Sequence, residues 1–504
     1  MQTALFDVPA QAAPEAPKPV CGGQRFRKLP GREQLYLQAP SVDEMVAPDD
    51  PVRMYDAILN ELEVSEFEAH YRGGGAPAFP PLFVLKLLVF AMAEGVHSAR
   101  ELARMCRQDL RFMWLAHGLA LDHELFSDFR TLFDEQIQRA YAQTVLLGME
   151  AGLITLRQVS VDGTKIAAHA KRTTYSDAEL TELLQQLRAR AAKLLAEMAA
   201  LDAAEDSAEA GARADKLPEE LADVQRRQER LQQAKAALAE KGWERISETD
   251  VEAPLQKTRD GTRPGYNAQM ATDADSGMVV YQHLTDAQND THELAPLLAG
   301  VVANTGCKPD VVAADSGYQS AASLQALEQG EFNGYINQPQ AGNDGRFGHE
   351  AFTYDRERDV YICPTGHELP FKGFKDLRYD NCRVYRASSR HCKACPRRAE
   401  CISEKAHCRQ LVVAPHGELV SAMRRKLQTE EGAAALKRRF ATAEPTFGVL
   451  KSVLGLRQFL LVGKAKAAVE LALASLALNM RKLVRWALAG GSGNQLRPAP
   501  AGAA

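Results

Sequence analysis

A chain of 504 residues with 45% hydrophobic and 25% charged residues has enough apolar surface for a folded protein of two to four domains, which excludes a disordered or fibrous chain. Its net charge of −4 hides a basic C-terminal region: Ser421 to Trp486 holds 13 Lys and Arg against 4 Asp and Glu, a balance of +9, as expected of a surface that meets a polyanion. No apolar run reaches the roughly 18 residues of a membrane span and no basic segment precedes an apolar core at the N-terminus, so neither anchor nor signal peptide is expected; nine Cys, an odd number, suit a reducing, cytoplasmic compartment.

Residues 1–22, rich in Ala, Pro and Gln, read as a disordered tail. Within it Gln2, Leu5 and Phe6 resemble the Gln-x-x-Leu-Phe peptide by which bacterial proteins dock onto the replication sliding clamp, against the plain reading of a tail without a role. Residues 23–155 form an all-α domain on their periodicity: Pro80-Pro81 opens a helix through Phe90, Ser98 caps Ala99–Cys106, and another helix runs from Phe126 to Leu147. Two readings stand for it, a helix-turn-helix in which Arg100, Arg107 and Arg130 meet phosphates, or a packing domain.

At Arg157–Lys165 the period changes to the alternation of a strand that delivers Asp162 ahead of Gly163. Leu180, Leu184, Leu187, Leu194 and Leu201, then Leu217, Leu221, Val224, Leu231 and Leu238, predict an antiparallel helical hairpin inserted at 174–245, with a solvated surface of 11 bases and 15 acids between Thr174 and Arg245. Strand patterns resume at Gly265–Asp273 and Gly277–Leu284 around the Asp275-Ser276-Gly277 turn. A helix follows from Thr291 to Asn304, then a short strand ending on Asp315-Ser316-Gly317-Tyr318, and another at Gly334–Asn337. This order over 156–345 matches an RNase H-like α/β layer, a mixed sheet flanked by helices.

Residues 346–415 hold six cysteines between Cys363 and Cys408. Cys392 and Cys395, two residues apart, with Cys363 and Cys401, make a four-sulfur set for Zn²⁺; reduced, half-buried thiols are the alternative. Glu368 to Arg409 adds 11 bases against 5 acids, which suits nucleic-acid contact with or without metal. The last part of the core, 416–488, is helical, from Glu418 to Phe440, through Glu444 to Leu454, and from Ala465 to Leu488; 489–504 reads as a second disordered tail.

Glu444 stands alone among Arg438, Arg439 and Lys451. It is either a surface ion pair or the last ligand of a metal site for a polyanionic substrate. With Asp162 and Asp315 it makes three acids on two strands and a helix, the hard oxygen ligands that two Mg²⁺ or Mn²⁺ ions, about 3.5–4 Å apart, need for phosphoryl transfer.

Val161-Asp162-Gly163-Thr164, Ala314-Asp315-Ser316-Gly317-Tyr318 and Glu444-Pro445-Thr446-Phe447-Gly448-Val449-Leu450-Lys451 resemble the three acid motifs of bacterial insertion-sequence transposases of the DDE type, in the subgroup with an N-terminal helical domain and a cysteine-containing insertion. The resemblance runs from Phe26 to Val484. Six residues separate Glu444 from Lys451, as in that family's Tyr-Arg-Glu-Lys signature. Upstream the chain departs from the signature, with Leu436 at the Tyr position and four rather than three residues between Arg439 and Glu444. The resemblance implies a nucleoid-associated enzyme that binds terminal inverted repeats, cuts at the ends and joins the freed 3′-hydroxyl to target DNA as a homodimer. Asp162, Asp315 and Glu444 would hold the metals, and Lys451, Arg439 and Arg438 would contact DNA. A transposase-derived DNA-binding protein without chemistry, or an RNase H-like nuclease without strand transfer, are the competing readings.

Overall fold

The computed structural model describes residues 41–71, 78–202, 216–258, 261–338, 346–377, 380–413 and 417–490. The Gln2, Leu5 and Phe6 peptide and nearly all of the two tails lie outside these residues. Among the described residues, eight helices precede the first strand. Asp50 caps the helix Pro51–Leu59 by accepting from Val52 N at 2.9 Å, with Pro51 at the first position, where its missing N–H costs nothing. Pro81–Ala93 is apolar almost all round and ten of its residues are buried, so it forms the centre of the helical part. The stretch expected as one helix from Phe126 to Leu147 is two, His123–Leu132 and Asp134–Glu150, separated at Phe133.

Among the described residues the main sheet has six strands. Five lie in the order β2 (Leu255–Thr258), β3 (Gly261–Asp273), β1 (Val159–Ala167), β5 (Val312–Ala314), β6 (Gly334–Ile336), and β4 (Val279–Thr285) pairs with β3. β1 is antiparallel to β3 and parallel to β5, and β5 is parallel to β6, so the sheet is mixed. Between β1 and β2 the helices Asp177–Asp202 and Leu217–Lys241 pack antiparallel. Leu180 and Leu184 meet Leu231, Ala234 and Leu238 at one end, and Leu194 meets Leu217 and Val224 at the other. A second, antiparallel sheet contains β7 (Thr353–Asp355), β8 (Val360–Ile362), β9 (Glu368–Leu377), β10 (Asp380–Arg386) and β11 (Gln410–Val413). It has its own small core of Phe352, Tyr361, Leu369, Tyr385, Ala387 and Leu411.

The helix Lys464–Leu488 joins the two halves of the chain. It packs on Pro51–Leu59, Pro81–Ala93, Asp134–Glu150 and β4, and one continuous hydrophobic cluster runs from Val46 to Ala487. Leu471, Leu473, Leu476 and Leu483 are at most 1% exposed, and each such side chain contributes about 1.5–3 kcal/mol on burial. Asn479 fixes the register of this helix against the sheet: its Oδ1 accepts from Val279 N at 2.8 Å and its Nδ2 donates to Val279 O at 2.9 Å.

The expected helix from Glu418 to Phe440 breaks earlier. Gly417–Leu427 ends, Thr429 accepts from Gly432 N at 3.1 Å as a new N-cap, and Glu430–Gly448 continues without interruption, so Arg439 and Glu444 share one helix. A π-helical turn, Val449–Val453, follows it.

Candidate active site

The parallel pairing of β1 and β5 stops where Val161 meets Ala314. Asp162, the fourth residue of β1, and Asp315, just past the end of β5, come next, so both carboxylates stand where the parallel pairing of the two strands ends. Asp162 Oδ1 accepts from Gly163 N, and Asp315 Oδ1 from Gly317 N, each at 2.8 Å. The second contact makes Asp315 the cap of the short turn Ser316–Tyr318.

Arg439, only 3% exposed, reaches this edge from the helix Glu430–Gly448. Its Nη2 lies 3.0 Å from Asp162 Oδ2 and its Nε donates to Val161 O at 3.2 Å. A guanidinium this close ordinarily holds a carboxyl below its usual range. Here burial, the largest influence, wins: it pushes Asp162 up to about 6 against the pull of Arg439, with the negative charges of Asp315 and Asp290 adding to the rise. Burial also raises Asp315, again opposed by Arg439 and aided by Asp290. Three carboxylates, Asp162, Asp315 and Asp290, thus act on one another here with Arg439 among them, and Lys165 adds a positive charge near Asp290.

Asp290, in the loop after β4, escaped the sequence reading. Its Oδ1 accepts from Asn267 Nδ2 at 2.7 Å and from Gln269 Nε2 at 2.5 Å. The only local trace of it is the polar run Gln288-Asn289-Asp290-Thr291-His292-Glu293 just ahead of an apolar helix.

Glu444 is exposed and, among the described residues, makes no hydrogen bond and no ion pair. The buried row of its helix is Gly432, Ala435, Arg439, Thr442, Ala443 and Thr446. The wide turn after this helix carries Lys451 to β1, where Nζ donates to Thr164 Oγ1 at 2.6 Å and to Lys165 O at 3.1 Å. Arg438 is half-exposed and pairs with Asp275. Arg100 is exposed.

The placement of Arg130 corrects the expectation of a phosphate contact. It is 6% exposed, its Nη1 donates to His97 O at 3.1 Å and its Nε to Phe126 O at 3.3 Å. The buried Glu470 supplies its opposing charge. Nor do Ala99–Gln108 and His123–Leu132 form a two-helix motif joined by a short turn, because the helix Leu110–Leu115 lies between them.

Cys363, Cys392, Cys395 and Cys401 line one cavity of about 30 Å³ beside His367 and His391, whose rings stack at 4.5 Å. That is room for a water or a single ion. His367 N donates to Cys363 Sγ at 3.3 Å and Arg409 N to Cys392 Sγ at 3.5 Å; burial works to raise the Cys363 thiol, but hydrogen bonds from Thr365 and His367 outweigh it and hold the pKa below the usual thiol range. Among the described residues, no group of three or more His, Cys, Asp or Glu already closes into a metal-holding arrangement, and no helix is long and apolar enough to cross a membrane.

Two family models match the chain: a transposase DDE domain over residues 362–484, and a transposase domain of the DUF772 type over residues 40–132. No curated protein and no solved structure matches. The first match spans the four cavity cysteines and the helix of Arg439 and Glu444, the second the N-terminal helices that pack against the last one, and both models describe transposases, which supports the resemblance to insertion-sequence transposases of the DDE type.

Proposed function

We propose that the protein binds the terminal inverted repeats of its element, cuts a strand at each end and transfers the freed 3′-hydroxyl to target DNA. The observation that carries this reading is that Asp162 and Asp315 stand together, each one residue past the last parallel pair of β1 and β5. The residues fit a hard divalent ion. Asp315 Oδ2 accepts no hydrogen bond from the described residues, and Mg²⁺ is usually held by one or two carboxylates, with water and substrate phosphate completing its shell. When bound, two such ions supply an activated oxygen nucleophile and a stabilised leaving oxygen.

The chain's own residues do the positioning. Asp162 and Asp315 hold the ions on a rigid edge, and Glu444 completes the second site from the exposed face of its helix. Arg439 keeps Asp162 aimed, while Lys451, Arg438 and Arg100 meet DNA phosphates. In this reading the main sheet is an RNase H-like core, 156–345 and 416–488, interrupted by the helical hairpin 174–245 and by the cysteine-rich unit 346–415. Two copies act together on the two ends in the cytoplasm, and Gln2, Leu5 and Phe6 offer a clamp-docking peptide. The test supplies pre-cut end DNA, a plasmid and Mg²⁺. Joined product is expected; hydrolysis without joining would leave a nuclease, and binding without either would leave a DNA-binding protein.

Cys363, Cys392, Cys395 and Cys401 would hold a structural Zn²⁺ that draws the four sulfurs together. The core of that unit is small, and small cores commonly need such a staple. Metal analysis of the purified protein should find about one zinc per chain, falling to background in Cys392→Ser/Cys395→Ser, as expected of a four-sulfur site. Protein free of zinc as purified would end this part of the reading.

A further inference from the structure

Alternate residues of a strand share a face, and antiparallel partners lie opposite one another on it. Gly163 pairs with Gln269 and Lys165 with Asn267, so these four lie on one face of the main sheet, while Asp162 and Thr164 face the helix of Arg439. Asp290 caps that first face. Its Oδ1 is fixed by Asn267 and Gln269, and Gln269 is itself fixed by the hydroxyl of Tyr318, a fully buried residue three positions after Asp315. Its Oδ2 accepts no hydrogen bond from the described residues.

The glycines of the two acid motifs show where that oxygen lies. A Cβ on Gly317 would be 2.9 Å from Asp315 Oδ1 and 3.3 Å from Asp290 Oδ2, so both carboxylates come within 3.3 Å of one point. On the other strand, a Cβ on Gly163 would collide with Gln269 Nε2 and lie 2.9 Å from Asp290 Oδ1. Each motif carries glycine where the Asp290 cluster occupies the space of a side chain. A second observation points to a missing ligand. Asn267 is 0% exposed, yet among the described residues its Oδ1 has no donor, while Lys165 on the same face places a positive charge near Asp290 and Glu293 without hydrogen-bonding to them. Buried polar groups are rarely left so unless water or an ion completes them.

We infer that Asp290 is a fourth carboxylate of the metal centre, beside Asp162, Asp315 and Glu444, anchored through Oδ1 and presenting Oδ2 beside Asp315 to a divalent cation. This rests on the phosphoryl-transfer reading above. Asp290→Asn keeps the acceptor toward Asn267 and Gln269 and replaces only Oδ2, so the fold should survive. Electron paramagnetic resonance of Mn²⁺ titrated into the full-length protein, without DNA, counts the ions bound; cleavage of end DNA is measured in parallel. Asp290→Asn is expected to weaken Mn²⁺ binding at least tenfold and to slow Mg²⁺-dependent cleavage about 100-fold, with end binding and thermal midpoint unchanged. Mn²⁺ binding within twofold of the unmodified protein would overturn the inference and leave Asp290 a structural acceptor. If Asp162→Asn binds Mn²⁺ and cleaves normally as well, the phosphoryl-transfer reading fails with it; if Asp162→Asn alone is dead, only the inference fails. Should Asp290→Asn not fold, Asp290→Ser, smaller and neutral, is read by the same two criteria.

Discussion

Asp162→Asn and Asp315→Asn should each reduce Mg²⁺-dependent cleavage at the element's ends by about 10³-fold or more, while end binding changes by no more than a few-fold. Losing a ligand of the ion removes several kcal/mol of charge stabilisation in the transition state, and each ~1.4 kcal/mol is a factor of ten. Asn keeps the shape and an oxygen for the Gly163 or Gly317 amide, so the loss is one of charge. Stability should separate the pair. Asp162→Asn leaves the buried Arg439 without its carboxylate and should lower the thermal midpoint. Asp315 has a raised pKa, so its folded environment disfavours the ionised form. Replacing it by a neutral amide should leave the metal-free midpoint at pH 7 unchanged or higher. Cleavage that persists in either variant would remove that aspartate from the chemistry.

Arg439→Ala should be the most destabilising single change at the site. Breaking a buried pair from one side costs about 3–5 kcal/mol, and here part of that is recovered because Asp162 can take up a proton. The sign of the pH dependence follows from the direction of the shift. Asp162 in the folded protein lies at about 6, above the usual carboxylate range, so its contribution is fully present at pH below that range and is lost as pH rises toward 6. Without Arg439 the carboxyl rises further, and the loss extends to higher pH. Thermal midpoints of Arg439→Ala in chelator should therefore fall more steeply than those of the unmodified protein between about pH 5 and 8, and Mg²⁺ should flatten the difference. Parallel curves would show that Arg439 is not the counter-charge of Asp162.

The strand that carries Asp162 was legible because alternation in Arg157–Lys165 is a local signal, and the hairpin of Asp177–Asp202 with Leu217–Lys241 was legible because its leucines repeat with the helical period. Arg439 was not. In sequence it is one of three consecutive bases, Lys437-Arg438-Arg439, and only the packing of its helix over β1 turns one inward to Asp162 and its neighbour outward to Asp275. Arg130 deceived in the same way, since a helical arginine in an amphipathic stretch reads as surface until Glu470, more than three hundred residues later, is found within the same core. Asp290 was hidden for a different reason. It belongs to a loop without periodicity, and its partners Asn267 and Gln269 sit in a strand whose burial, rather than composition, makes them matter. The five strands of the second sheet were masked by cysteines and bases that drew attention to metal and charge.

The helix Lys464–Leu488 has a consequence for how the protein comes into being. It covers faces of Pro51–Leu59, Pro81–Ala93 and Asp134–Glu150, so these helices cannot finish burying their apolar surface until Lys464–Leu488 has left the ribosome. Domains usually fold one after another during synthesis. Here Pro51–Leu59, Pro81–Ala93 and Asp134–Glu150 must wait for Lys464–Leu488, and a chain that stops before it presents an open apolar face to proteases and chaperones. Synthesis of Lys464–Leu488 thereby acts as a checkpoint: only a copy that contains it assembles the core on which the edge bearing Asp162 and Asp315 is mounted.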